Sequence, residues 1–151
     1  MGIEQDIQQT NFRNEHQKLG INIMYTANWL NEKIAGILSQ EDITQQQYNI
    51  LRILRGADKP LSTLQIRARM LDKMSDTSRI VDRLVSKELV EKNTCPTDKR
   101  LVDVVISKKG YTVLEKLDQL NHHLDSLMKG ISEKEADIMN QLLDQLREAS
   151  K

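Results

Sequence analysis

The sequence predicts a mostly helical fold that carries one small β-hairpin. Apolar residues recur at three- and four-residue steps over most of the 151 residues, which is the spacing of amphipathic helices. Hydroxyl residues followed three positions later by Gln or Glu mark several helix starts. The one β-branched run, Leu101 to Ile106, follows a Cys-Pro turn and therefore predicts the hairpin.

Length and charge favour one compact chain with a basic centre. Residues 44–110 carry 14 Lys and Arg against 8 Asp and Glu, a net charge of +6, whereas each flank has a net charge of −3. This distribution suggests a polyanionic partner, although chance clustering on a solvated surface would look the same. The single cysteine, Cys95, excludes an internal disulfide. With no apolar run of membrane-spanning length and no signal-peptide pattern, we expect a cytoplasmic protein without membrane contact.

The first half of the chain predicts a long helix followed by a capped second helix. Apolar residues from Leu19 to Ile37 predict a helix over roughly 13–39. Thr44 and Gln47 have the spacing of a capping box, and the helix that they begin is expected to end near Gly56.

Two short helices then form a helix-turn-helix pattern. Ser62 and Gln65 repeat the capping box and predict a helix over about 62–70. Ser75 is the expected cap of a third helix that buries Ile80, Val81, Leu84 and Val85 and ends near Lys87. A helix-turn-helix followed directly by a hairpin is a winged helix.

The C-terminal part predicts helices that need a partner. Ser107 is the expected cap of one continuous helix that ends at Gly130, and Ser132 with Glu135 begins the last helix. Their leucine stripes exceed what one thin core can bury, so we expect a homodimer. The predicted organisation is a helical dimerisation region formed by residues 1–43 and 107–151 around a winged region, 44–106, within one compact chain.

The third helix and the hairpin tip hold the candidate contacts to double-stranded DNA. The first turn of a recognition helix reads bases in the major groove, and cations at a wing tip suit the narrow minor groove. By themselves, a solvated polar face and a solvated charged turn would look similar. The predicted contact set is Ser62, Thr63, Lys73, Ser75, Thr77, Ser78, Arg79, Arg83, Asp98, Lys99 and Arg100. Base reading is assigned to Thr77, Ser78 and Arg79, and minor-groove insertion to Arg100.

Four segments, taken in order, resemble the multiple-antibiotic-resistance regulator (MarR) family of bacterial winged-helix transcription factors. They are ITQQQYNILRIL, LSTLQIRARM, SDTSRIVDRLVSKELVEK and PTDKR…VVISKKG. The resemblance implies a homodimer joined through its terminal helices, with Ser75–Lys87 in the major groove and Arg100 in the minor groove. It also implies release of DNA by small, often aromatic, anions or by cysteine oxidation. Arg67 and Glu88 depart from the family pattern, which usually has alanine and glycine at these positions.

Effector binding rests on weaker signals. Tyr25 and Trp29 lie one turn apart on the first helix, and Met70 and Met74 lie near the motif turn. These four residues either line a pocket for a small aromatic or phenolic effector or belong to the plain core. Cys95 lies in the wing and not on the first helix, so an exposed bystander thiol is the preferred interpretation.

No catalytic signature is present, and no cofactor or metal is expected. The chain lacks a phosphate loop, a nucleophile elbow and an HExxH sequence. The predicted function is that of a sequence-specific transcriptional regulator, most simply a repressor, on a pseudo-palindromic operator. A winged-helix protein-interaction module that does not bind DNA, such as an antirepressor or assembly factor, is the alternative.

Overall fold

The computed structural model describes residues 1–94 and 102–151. The predicted wing-tip residues Asp98, Lys99 and Arg100, together with Cys95, lie outside the described residues. The helices are α1 (Ile3–Asp6), α2 (Glu15–Leu38), α3 (Gln45–Ala57), α4 (Thr63–Arg69), α5 (Thr77–Ser86), α6 (Lys108–Asp118), α7 (Asn121–Ser126) and α8 (Glu133–Glu148). The strands are β1 (Leu61–Ser62), β2 (Val90–Thr94) and β3 (Val102–Ile106). This order confirms the winged-helix fold class.

The chain forms two compact units, residues 1–118 and 119–151. The core of the first unit joins α3, α4, α5, β3 and α6 through fully buried aliphatic side chains. Examples are Ile50, Leu51, Ile66, Val81, Leu84, Val104 and Leu114. The second unit contains α7 and α8, and no residue of these two helices, all of which the structure describes, is buried.

The sheet has three antiparallel strands in the order β1-β3-β2. β2 and β3 form the predicted hairpin, with Val90 opposite Ile106 at its base and Thr94 opposite Val102 at the far end. β1, which the sequence analysis does not predict, pairs Leu61 with Val104. The sheet therefore connects the start of α4 to the wing.

Four of the five predicted helix caps are confirmed, among them Ser107, whose hydroxyl accepts from the Gly110 N–H at 3.0 Å, and one is wrong. Complete capping boxes are present at Thr44–Gln47, Ser62–Gln65 and Ser132–Glu135. The prediction that Ser75 caps α5 is wrong, because the Asp76 side chain accepts from the Arg79 N–H at 3.2 Å. The Ser75 hydroxyl instead donates to the Asp72 carbonyl at 2.8 Å, inside the turn before the helix.

α5 ends in a Schellman motif built on a non-glycine residue. The Glu88 N–H donates to the Val85 carbonyl at 2.9 Å, and the Leu89 N–H donates to the Leu84 carbonyl at 3.0 Å. Glu88 has φ of 62°, in the left-handed region. Leu84 and Leu89 are both buried, as the apolar contact of this motif requires.

We expect Glu88→Gly to raise the free energy of unfolding by up to about 1 kcal/mol. Glycine adopts the left-handed conformation without the Cβ penalty that Glu88 carries. The Glu88 side chain is exposed, so little packing is lost. Urea denaturation is the measurement, and Ser86→Gly, in the regular last turn of α5, is the matched control that should lower stability. Equal losses in both variants would contradict the strain assignment.

The predicted continuous helix up to Gly130 is wrong, because the helix breaks after Asp118. In an unbroken helix the His123 N–H would donate to the Gln119 carbonyl. It donates instead to the Leu120 carbonyl at 2.9 Å, and the Gln119 carbonyl contacts His122 Nδ1 at 3.0 Å. The local hydrogen bonds of the two histidines therefore replace the regular ladder.

α6 is fastened to the core of the first unit at its C-terminal end. Arg55 of α3 makes two hydrogen bonds to the Asp118 carboxylate, at 2.7 and 3.2 Å, and these raise the pKa of Arg55. Leu114 and Leu117 of α6 are buried. α6 therefore packs with the winged region in the first unit, and the assignment of residues 1–43 and 107–151 to dimerisation remains a prediction.

Candidate nucleic-acid interface

The exposed face of α5 carries the polar and cationic residues of the predicted reading helix. Ile80, Val81 and Leu84 anchor the opposite face in the core. This leaves the side chains of Ser78, Arg79, Asp82, Arg83 and Ser86 exposed. A helix fixed in this way presents two arginines one turn apart on a rigid support, which is the arrangement needed to bind a groove of a duplex.

A depression of about 370 Å³ lies between α4 and the first turn of α5. Its lining residues are Thr63, Leu64, Arg67, Ser75, Asp76, Thr77 and Ser78. Arg67 is therefore beside the N-terminal end of α5, where the helix dipole favours an anion. The predicted contact set omits Arg67, although its departure from the family pattern marks it in the sequence.

The motif turn is held by the side chains of its own residues. The Asp72 carboxylate accepts from the Met74 N–H at 2.9 Å, and Lys73 Nζ donates to the Ala68 carbonyl. Ser62 serves as the cap of α4. Lys73, Ser75 and Ser62, all predicted contacts, thus have local structural partners in addition to any contact with a duplex.

The assignment of Thr77 to base reading is corrected by its burial. Only 3% of this residue is exposed, because it occupies the first position of α5 on the side that faces the core. Its Oγ1 atom has no hydrogen-bond partner among the described residues. Thr77 therefore leaves the reading set, and Ser78 and Arg79 remain.

We expect Thr77→Val to leave duplex binding unchanged and to raise stability by about 1 kcal/mol. Valine has nearly the same shape and removes a buried hydroxyl that lacks a partner among the described residues. Thermal unfolding and fluorescence anisotropy with a labelled duplex are the two measurements. A loss of affinity in this variant, with its stability preserved, would restore Thr77 as a contact.

The base of the wing is tied to the reading helix. Lys92 of β2 forms an ion pair with Asp82 of α5 at 2.9 Å, and the two side chains are 37% and 64% exposed, respectively. The pair contributes little to stability at such exposure. It nevertheless joins the two elements that the sequence analysis assigns to neighbouring grooves.

The four predicted effector residues are not brought into one pocket. Tyr25 and Trp29 are 42% and 37% exposed and line a shallow depression with Asp6, Asn22 and Thr26. Met70 is buried and lines a different depression of about 510 Å³, together with residues of α2, α3 and the motif turn. Met74 is 93% exposed. The aromatic pair is therefore neither plain core nor adjacent to the two methionines.

Two further kinds of site are absent from residues 1–94 and 102–151. None of the helices there combines the length and apolarity of a membrane span. The same residues hold no group of three or more potential metal ligands.

Known proteins with a similar sequence or structure are winged-helix regulators. Residues 41–101 match the model of the MarR family, and this segment covers α3, the helix-turn-helix and β2, whereas β3 lies beyond it. A mutant MarR from E. coli, crystallised with operator DNA, is 27% identical with a TM-score of 0.80, over 91% of this chain and 99% of that chain. Within residues 41–101, the chain is similar to the MarR family.

Two structures of lower sequence identity show the same fold as this chain. An organohalide-sensing transcriptional regulator in its 2,4-dichlorophenol-bound form is 17% identical with a TM-score of 0.83, over 93% of this chain and 86% of that chain. Bordetella bronchiseptica BpsR, whose DNA binding is regulated by 6-hydroxynicotinic acid, is 17% identical with a TM-score of 0.77, over 86% of this chain and 98% of that chain. No curated protein matches the chain.

Proposed function

We propose that this protein is a sequence-specific transcriptional regulator of the MarR type that represses genes by binding double-stranded DNA as a homodimer. The observation that carries the proposal is the exposed face of α5, with Arg79 and Arg83 held over a buried core stripe. The similarity to E. coli MarR in complex with operator DNA supports the same use of that face.

The proposed interface consists of residues that contact base edges and residues that contact phosphates. Ser78 and Arg79, in the first turn of α5, read base edges in the major groove. Cations around them neutralise phosphates: Arg67 from α4, Lys73 from the turn and Arg83 from α5. Lys99 and Arg100 reach the adjacent minor groove from the wing tip, with Asp98 orienting the arginine.

Exposed apolar residues on the terminal helices support the homodimer. On α8, the side chains of Ile138, Leu142 and Leu146 lie at helical spacing and are about half exposed. Leu19 and Met24 of α2 are exposed as well. Since stripes of this kind are costly to leave in water, a second copy of the chain is their simplest cover.

Selection of bound duplexes from a random library is the experiment that tests this function. We expect enrichment of a pseudo-palindrome whose half-sites are about 10–10.5 bp apart, and a dimer in sedimentation analysis. A monomer in solution, or a library without enrichment, would contradict the proposal. Binding to a protein target with no enriched duplex would favour the interaction-module alternative.

Release by a small aromatic or phenolic effector is the regulatory part of the proposal. The phenol and pyridine-acid ligands named for two fold neighbours support this ligand class. The Tyr25–Trp29 depression supplies aromatic faces for such a ring. Adding dichlorophenol and hydroxynicotinic acid during the duplex selection tests release, which should be lost in Trp29→Ala if this depression is the site.

A further inference from the structure

One segment, Ser107–Gly110, joins the start of α6 to the end of α5 and to the base of the wing. The Ser107 hydroxyl donates to the Glu88 carbonyl at 2.7 Å and accepts from the Gly110 N–H at 3.0 Å. The Ser107 N–H donates to the Leu89 carbonyl at 3.0 Å. One residue therefore caps α6 and bonds to two consecutive carbonyls beyond α5.

Lys109 adds a second connection of the same kind. Its ammonium group donates to the Lys87 carbonyl at 3.0 Å and lies 3.9 Å from the Glu88 carboxylate. Three successive carbonyls, those of residues 87, 88 and 89, are thus bonded by groups of Ser107 and Lys109. A cation at the C-terminal end of α5 is also favoured by the helix dipole.

This junction is placed where the wing begins. Val90 and Ile106 are the first pair of opposite residues at the base of the hairpin. They directly adjoin Leu89 and Ser107, respectively. Rotation of the hairpin against α5 would strain the bonds that reach back to the end of this helix, from Ser107 to the Glu88 carbonyl and from Lys109 to the Lys87 carbonyl. Because Ser107 bonds to two backbone carbonyls, whereas the Lys92–Asp82 pair joins two side chains, the junction is the stiffer of the two connections.

We infer that Ser107 and Lys109 are positioning residues that hold the wing at a fixed angle to the reading helix. They do this by bonding to the backbone of residues 87–89 and without contacting the duplex themselves. The inference rests on the proposed DNA-binding function. The Ser-Lys-Lys-Gly sequence after β3 then has two roles. It begins α6, and it connects the wing to the end of α5.

A double-mutant cycle with the wing arginine tests the inference. Duplex affinity is measured by anisotropy for Ser107→Ala, Arg100→Ala and the double variant, using the duplex enriched by selection. We expect each single change to weaken binding roughly fivefold, and the double variant to bind about as weakly as Arg100→Ala alone. Once Arg100 is absent, the angle of the wing should no longer affect duplex affinity.

Conservative and independent variants separate positioning from a merely structural role. Ser107→Thr keeps the hydroxyl and should bind like the wild type. Lys109→Met, which leaves the Ser107 cap intact, should show the same non-additivity with Arg100→Ala if Ser107→Ala fails to fold. The inference would be overturned if the fold losses in affinity of the two single variants multiplied in the double variant. Unchanged duplex affinity in folded Ser107→Ala would overturn it as well. Absence of duplex binding by the wild type would instead mean that the proposed function itself is wrong.

Discussion

Replacing Arg79 with alanine is expected to weaken binding to the selected duplex by roughly 10- to 100-fold, as expected for loss of a bidentate arginine–guanine contact. Arg79 lies in the first turn of α5, next to the depression that Arg67 and Ser78 line. Since this contact reads a base, binding to a scrambled duplex should fall much less. Competition anisotropy with both duplexes measures the two effects together.

Arg52→Ala is the matched control for this prediction. It removes the same charge from an exposed position on α3, where the guanidinium lies over the Tyr48 ring at 5.5 Å. We expect its affinity for both duplexes to stay within about twofold of the wild type, because a remote surface charge is largely screened. Equal losses in Arg79→Ala and Arg52→Ala would show that total charge, and not the face of α5, determines binding.

Gly110→Ala is expected to lower the free energy of unfolding by roughly 3 kcal/mol, at the upper end of overpacking costs. A Cβ atom at this position would lie 2.3 Å from the Leu89 carbonyl oxygen and 2.7 Å from Ile106 Cγ1. The first obstacle is backbone, so no side-chain rotation relieves the clash. The start of α6 would have to move away from the end of α5.

Gly56→Ala is the control, because a Cβ atom there meets nothing within 4 Å and the residue lies inside α3. Alanine should raise stability at this site by about 0.5–1 kcal/mol. Chemical denaturation of both variants gives the comparison. A loss below about 1 kcal/mol in Gly110→Ala would mean that the junction yields easily, against the fixed wing angle inferred for Ser107.

Patterns within a few residues of the sequence were sufficient to predict most helix starts and the exposed face of α5. A capping box is a contact between residues three positions apart, so Thr44 and Ser62 could be assigned without knowledge of the fold. The apolar stripe of α5 likewise predicted which face would be exposed, and with it the positions of Arg79 and Arg83.

Features set by tertiary packing were not predicted. Burial of Thr77 depends on how α5 lies against the rest of the core, which a stripe of three or four residues does not fix. β1 has two residues and exists through its pairing with Val104, more than 40 positions along the chain. The break after Asp118 coincides with hydrogen bonds at His122 and His123 that differ from the regular helical ones, and the helical apolar pattern does not reveal them.

The salt dependence of duplex binding tests the central claim most directly. The proposed phosphate contacts are three cations per protomer, Arg67, Lys73 and Arg83, and therefore six in the homodimer. Each neutralised phosphate changes log K by about 0.9 per decade of salt concentration. We therefore predict that log K for the selected duplex falls with log salt at a slope of about −5 or steeper. A slope near zero would contradict the claim that this cationic face binds DNA.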